Sequence, residues 1–582
     1  MGAIKLTAFT GEQPLIKPRL LPDTAAQSAV DVRLNDGALT AMRSPVQTAN
    51  AGAANHKTII KFDGDWLSFV NEVHAAPGPV ADDRLYYTGD GAPKMRVDDT
   101  VYPLALAPPS TALSTATSGS GTGAVQTRIY VYTWVTDFGE ESEPSPASGE
   151  VDWQSGITVT LSGFEATPTG RNITKQRIYR SQTGDVGTYF YFVAERAAST
   201  SDFADNVAID GFNEPLPSAN WNAPPDGLSG LTTLPNGIMA AFVGRDLYFS
   251  EPWRPHAWPE KYVLTTDYPI VALGAVGSVL IVMTSGLPYV VQGSHPSSMR
   301  MDKIEQNLPC INSRAVVDLG YAIAYPSSDG LVVIAGDGQA RLVTANLFDR
   351  DSWQALSPQT AIAGQMFGRY VMFYDTTDSQ NKIVAGAIFI DVSGTPFLLR
   401  SSARATAVWY DLETSKLYYL GYGTDDILEL DPPTGARAIY YWRSKEFAMQ
   451  APTNFGVIQV DAANALSPAE VAMIDAEIAA VQSANEALIA AGSLNGEINS
   501  HEMNAYALGG DILAPLPKQA TGIEVSVFAD GNVVKTVNVA NKPVRLPSGF
   551  KARKWEVAAQ GRSSIEQIVI AHTMADLMQV VG

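Results

Sequence analysis

One cysteine, Cys310, stands in a chain of 582 residues, which excludes an intramolecular disulfide and any metal site built from several cysteines. In the turn LPCINS it reads as a small buried side chain. Histidine is nearly as scarce. His56, His74, His256, His295, His501 and His572 are scattered, no two at the spacing of metal ligands. Charged residues make up only 17%, and 40 Lys and Arg against 60 Asp and Glu leave a net charge of −20 with a pI near 4.7. A protein that grips nucleic acid needs basic surface to displace counterions, so this composition argues against a strong hold on DNA. Passage of a duplex along a like-charged wall is not. HExxH, GxSxG and Walker motifs are missing, and GDGQA from Gly336 is a turn between strands that opens no helix. The opening MGAIKLTAF lacks the apolar core of a secretory signal. Ile270 to Val291 carries no charge, but Gly274, Gly277, Gly286 and Pro288 interrupt its β-branched runs. Two buried strands are expected there, not a membrane-spanning segment.

The residues that are present point to β structure. Hydrophobic residues make up 46%, and 48 Gly and 36 Pro punctuate runs rich in Val, Ile, Thr and Tyr. A strand–turn–strand unit recurs as SVLIVMTSGLPYVVQG from Ser278, YAIAYPSSDGLVVIAG from Tyr321, RYVMFYDTTDSQNKIVAGAIFIDV from Arg369 and KLYYLGYGTDDILEL from Lys416. Its starts are 43, 48 and 47 residues apart. That spacing suits four short strands per unit, as in a β-propeller blade.

The expected organisation is a mainly β chain in five parts. Residues 1–60 form a Pro- and Ala-rich extended arm, and 61–107, with WLSFV and RLYYTG, a first blade. Residues 108–222 form an inserted β-sandwich after the flexible linker PPSTALSTATSGSGTGA. The propeller occupies 223–447, and 448–582 form a C-terminal β-domain carrying an acidic helical insertion at 467–510. In the sandwich, RIYVYTWVT, ITVTL, KQRIYRS and TYFYFVAER alternate between the turns FGEESEPSP and QTGDVG, similar to fibronectin type III. Ser467-Pro468-Ala469-Glu470 is a capping box, and Val471, Ile474, Ile478, Val481 and Leu488 make an apolar helical stripe expected to pack on protein. VFADGNVV predicts a hairpin with a primed turn at Asp530-Gly531. Residues 467–510 carry six acids and no Lys or Arg, whereas 518–562 carry eight basic and three acidic residues. Solvated surface and complementary subunit contacts both account for that asymmetry.

Candidates for chemistry are few. Asp425, Asp426 and Glu429 are the carboxylates from which a glycosidase pair would have to come, although the Asp pair sits where turns favour Asp. Ser327-Ser328-Asp329-Gly330 holds, once, a fragment of the repeated turn of propeller sialidases, and WD40 signatures are absent. No catalytic, cofactor-binding or metal residues are assigned.

LPNGIMAAFVGRDLYFSEPWRPHAWPEKYVLTTDYPIVAL, from Leu234, resembles the nozzle proteins (tail tubular protein B) of short-tailed bacteriophages. PLIKPRLLPDTAAQSAVDVRLNDGALTAMRSP from Pro14, GPVADDRLYYTGDGAPK from Gly78 and RLPSGFKARKWEV from Arg545 are similar to the same family. The resemblance implies a non-enzymatic virion protein of the phage tail, made in the host cytoplasm. Six copies would form a ring below portal and adaptor, contact tail fibres or spikes, retain the genome and conduct it during ejection without specific binding. No cofactor is implied. Two alternatives stay open: a virion-associated propeller glycosidase (depolymerase) acting on host surface polysaccharide, and a carbohydrate-binding protein with an exposed aromatic groove.

Overall fold

The computed structural model describes residues 3–184, 187–207, 214–377, 383–392, 396–463, 468–490 and 522–581. It is mainly β. Among the described residues α-helix is confined to Arg350–Gln354, Pro468–Ala490 and Met574–Val581. The chain divides into two compact units, one of Met1–Asn55, Asp329–Leu331 and Leu342–Gly582, the other of His56–Ser328 and Val332–Arg341.

The unit that starts at His56 is built on four-stranded antiparallel meanders. The first runs through His74–Pro77, Arg84–Thr88, Lys94–Val97 and Thr100–Pro103, and the second through Ser229–Leu234, Ile238–Val243, Asp246–Phe249 and Leu264–Thr265. The third comprises Ile270–Val276, Val279–Thr284, Tyr289–Gln292 and Arg300–Lys303; the fourth, nearly all in this unit, comprises Val317–Asp318, Ala322–Ser327, Gly330–Ala335 and Ala340–Leu342. The repeats from Ser278 and Tyr321 are the two middle strands of the third and fourth meanders. The uncharged stretch 270–291 lies in three strands of the third, and no helix among the described residues is long and apolar enough to cross a membrane. Thr58–Phe62 and Asp65–Phe69 form a separate hairpin, so the block expected to be one blade at 61–107 splits in two.

Successive meanders pack face to face, and strand alternation explains how. In Ile238–Val243, Met239 and Ala241 join a core with Tyr86 and Met95 of the first meander. Ile238 and Ala240 join Leu280 and Val282 of the third. Because neighbouring side chains point to opposite faces, a strand apolar at every position serves both neighbours. Gly274 continues the series: a Cβ there would come within 2.7 Å of the Ile323 side chain.

The insertion leaves after Leu104 and returns before Leu228, two residues buried in the same core. It holds one sheet of Ser114–Ser118, Thr158–Ser162 and Phe203–Asp205 and another of Tyr130–Thr136, Ile173–Gly184 and Gly187–Ala197. Leu113, Tyr132, Trp134, Leu161 and Ile178 fill its core. The expected linker at 108–124 is thus corrected. Leu113 anchors it, and STATS pairs with Thr158–Ser162, because Ser and Thr at an exposed edge satisfy a strand as readily as a flexible tether.

ESEPSPAS does more than turn. The hydroxyls of Ser142, Ser145 and Ser148 accept from the N–H groups of Trp134 (2.9 Å), Tyr132 (3.2 Å) and Tyr130 (2.9 Å). The three Ser N–H groups donate in return to the carbonyls of the same residues at 2.8–2.9 Å. A Pro-containing segment cannot supply a donor at every residue, so serine at every third position pairs the strand edge instead.

In the other unit the fifth meander (Ile362–Met366, Arg369–Thr377, Ile383–Ile390, Leu398–Ser401) continues into a ten-stranded sheet through Ala26–Val30, Tyr440–Ser444, Ala552–Gly561, Ile523–Ala529 and Asn532–Val537, with Phe447–Thr453 also paired to Ala552–Gly561. The sixth meander has three strands of its own, Ala405–Asp411, Lys416–Gly421 and Asp426–Glu429. Val46–Asn50 supplies the fourth. Residues 1–60 are therefore not a free arm. Ala3–Leu6 pairs with Ser564–Ala571, and Ala26–Val30 lies inside the large sheet. The expected boundary at 447/448 also falls within one sheet, since Tyr440–Ser444 pairs with Ala552–Gly561.

The hairpin turn at Asp530-Gly531 forms with φ of 45° and 86°, the two positive values a primed turn needs. Pro468–Ala490 is helical. Of its expected stripe Ile474 is buried and Val471, Ile478 and Val481 are half-buried. Ser467 of the capping box, the side chain of Leu488 and residues 491–510 of the acidic insertion lie outside the described residues.

Candidate functional site

Two turns that look unrelated in sequence meet in the unit that starts at His56. Phe138-Gly139-Glu140-Glu141-Ser142 ends the first long strand of the sandwich, where Gly139 takes a positive φ of 76° and its N–H bonds the Thr136 carbonyl. Pro255-His256-Ala257-Trp258-Pro259 follows the third strand of the second meander. His256 Nε2 donates to the Glu141 carbonyl at 3.0 Å, and its Nδ1 lies 3.8 Å from Glu140 Oε1.

Both glutamates are buried and answered by cations from one strand region of the sandwich. Glu140 accepts from Arg171 Nη2 at 2.5 Å. Glu141 accepts from Thr133 (2.8 Å), Tyr179 (2.6 Å) and Arg177 (2.7 Å). Burial, with Glu141 beside it, pushes the Tyr179 hydroxyl well above its ordinary range. Burial likewise lifts Tyr86, facing Glu140, to about 12. Burial pulls His256 down to about 4, only partly opposed by Glu140, while Arg171 and Arg254 add to the fall. Phe138 on the same turn meets Tyr102 of the first meander at 5.4 Å between ring centres, with Arg84 over its face. Asn222, on the returning connection, accepts from the Trp258 N–H through its carbonyl. The arrangement is a charged joint that fixes the sandwich to two meanders. Each of its charges is held by a partner, which suits positioning better than chemistry.

The residues singled out from sequence are not brought together. Asp426 accepts from Gln47 at 2.6 Å at one end of its strand, and Glu429 accepts from Lys416 at 3.0 Å at the other. Three positions apart in a strand, they point to opposite faces, and no carboxylate pair for glycoside cleavage forms at Asp425, Asp426 and Glu429. Cys310 is buried, and burial pushes its thiol up to about 12, far from the thiolate a nucleophile needs. His56, His74, His295 and His572 sit in separate places against Ser68, Glu72, Ser297 and Phe455; His501 is outside the described residues. No group of three or more His, Cys, Asp or Glu able to hold a metal occurs among the described residues.

Sequence reading passed over a cavity of about 370 Å³ between the second and third meanders. Asn236, Ser278, Gln292 and Ser294 line it over apolar Leu234, Ile238 and Met299. Trp253 in EPWRP lies outside that lining but is anchored on Gly237, the residue after Asn236, at a positive φ of 59°.

Comparisons with known proteins add little to this geometry. No family model matches the chain, and no curated protein matches it. Among solved structures it is similar to the extracellular domain of a B. thetaiotaomicron protein described as a one component system, at 11% identity and a TM-score of 0.22. That match covers 54% of this chain and 39% of the other. A second structure, described as the extracellular domain of a hybrid two component system from the same organism, matches at 10% identity and a TM-score of 0.21. It covers 65% of this chain and 51% of the other. The match thus spans about half or less of those chains, and at such TM-scores it carries no argument about function.

Proposed function

We propose that this chain is a structural protein of the tail of a short-tailed phage, a nozzle subunit acting as a ring of six. The ring would extend the DNA channel below portal and adaptor, hold back the genome, and conduct it during ejection. The observation that carries this reading is the resemblance of the segment from Leu234, supported by the patches from Pro14, Gly78 and Arg545. The segment from Leu234 forms the last three strands of the second meander, enters the third, and supplies His256 to the charged joint. The net charge of −20 is compatible with a conduit, because six copies would present about −120 to a polyanion. A ring closes a channel wall with one repeated interface. The reading assigns no catalytic residue and no cofactor, and places the protein in the virion with adaptor and fibres or spikes as neighbours.

Native mass spectrometry of the purified chain, alone and with its adaptor, tests the reading. Six copies on the adaptor, together with no retention of duplex DNA in gel shifts at physiological salt, is the expected result. A chain that stays monomeric with the adaptor, or binds duplex tightly, refutes it.

A further inference from the structure

Trp253 occupies a backbone position that tryptophan rarely takes. Glu251-Pro252-Trp253-Arg254 is a turn closed by the Arg254 N–H on the Glu251 carbonyl at 3.0 Å, and Trp253 has φ of 59°. With Pro second in such a turn, a positive φ in third place ordinarily calls for glycine. A bulky residue there is strained, and such strain clusters at functional sites.

Two contacts hold it. Its N–H donates to the Gly237 carbonyl at 2.9 Å, and its indole lies flush on Gly237, where a Cβ would come within 2.4 Å of the ring. Gly237 covers part of the indole, yet the residue stays 51% exposed. Gly237 directly follows Asn236, which lines the cavity of about 370 Å³ described above. That volume falls in the range of small-molecule sites. The lining carries amide and hydroxyl groups over an apolar floor and no charged side chain.

We infer that Trp253 and the adjoining cavity form a binding site for a neutral saccharide. A pyranose has one face of C–H groups, which stacks on an open indole, and a rim of hydroxyls, which need uncharged donors and acceptors. Asn236, Ser278 and Gln292 provide these. A phosphate- or sulfate-bearing ligand would find no cation in the cavity lining, and the nearby Arg254 guanidinium is turned to the Trp253 carbonyl at 3.2 Å and the Trp221 ring. The inference rests on this geometry alone and stands apart from the nozzle reading.

The test uses the full-length protein on an array of neutral and acidic oligosaccharides, followed by calorimetric titration of the neutral glycan that binds best. Trp253→Gly is the decisive variant, because glycine relieves the turn while removing the platform. The expected result is neutral-glycan binding by the native chain, weakened at least tenfold in Trp253→Gly at an unchanged or raised melting temperature. Gln292→Ala, at an exposed position, should weaken binding without touching the turn. Failure of the native chain to bind any neutral glycan overturns the inference. So does equal binding by Trp253→Gly, or binding confined to acidic glycans.

Discussion

Acid should loosen the joint between sandwich and meanders, and the size of the effect follows from His256. Its folded pKa of about 4 lies below the ordinary value near 6.5, so the folded joint takes up the proton less readily than the opened one. A basic group whose folded pKa is depressed contributes fully above its unfolded value. That contribution drains away as pH falls from about 6.5 towards about 4. At pH 5 the loss is about 2 kcal/mol, or about thirtyfold in the opening equilibrium. The groups facing the ring are the Glu140 carboxylate, the guanidiniums of Arg171 and Arg254, and the Glu141 carbonyl. Hydrogen exchange of peptides covering 250–259 and 134–142, corrected for intrinsic rates, reads the opening directly at pH 7 and pH 5. His256→Gln can keep an N–H for the Glu141 carbonyl but cannot titrate. Its protection should lose the component of pH dependence that the native chain shows. Equal pH dependence in the two proteins would refute the assignment to His256.

Further outcomes follow from single contacts. Ser145→Ala leaves the buried Tyr132 N–H without its hydroxyl acceptor and should cost about 1–3 kcal/mol, read as faster exchange along 130–136. Gly274→Ala pushes a methyl group against Ile323 and should cost about 1–3 kcal/mol, lowering the melting temperature. Cys310 should resist iodoacetamide in the folded protein at pH 8 and react fully in urea; rapid native labelling would contradict its burial. Arg171→Met strands Glu140 and should cost about 3–5 kcal/mol at the joint, while adding Glu140→Leu should restore much of it. Hydrogen exchange of 134–142 separates those two variants.

Much of the fold was legible because its signal is local. The repeats from Ser278, Tyr321, Arg369 and Lys416 are the central hairpins of four meanders, apolar enough to show against any background. Their outer strands were not legible. Val317–Asp318 has two residues, and Arg300–Lys303 reads RMDK, polar and at a sheet edge. The N-terminal strands hid for another reason: Ala3–Leu6 finds its partner more than 560 residues away, and nothing in AIKL reports that. Composition misled at 108–124, where Ser, Thr and Gly suit an edge strand and a tether alike. At the joint, both turns are visible in sequence as FGEES and PHAWP, but their meeting across 115 residues is a property of the fold.

What holds the joint at one angle follows from what an apolar joint would leave undetermined. Leu104 and Leu228 already lie in one core, so the meanders they bound pack together without help from the sandwich. An oily patch between sandwich and meander would hold equally well at many angles, since dispersion and hydrophobic contact have little direction. Directed hydrogen bonds across the joint change that. His256 Nε2 must reach the Glu141 carbonyl and the Trp258 N–H the Asn222 carbonyl, and leaving either buried donor unpaired penalises other orientations. Glu140 and Glu141, by contrast, find their guanidiniums and hydroxyls within the sandwich itself. The sandwich is therefore held at a set attitude to the meanders beneath it by directed bonds, and protonation of His256 perturbs one of them.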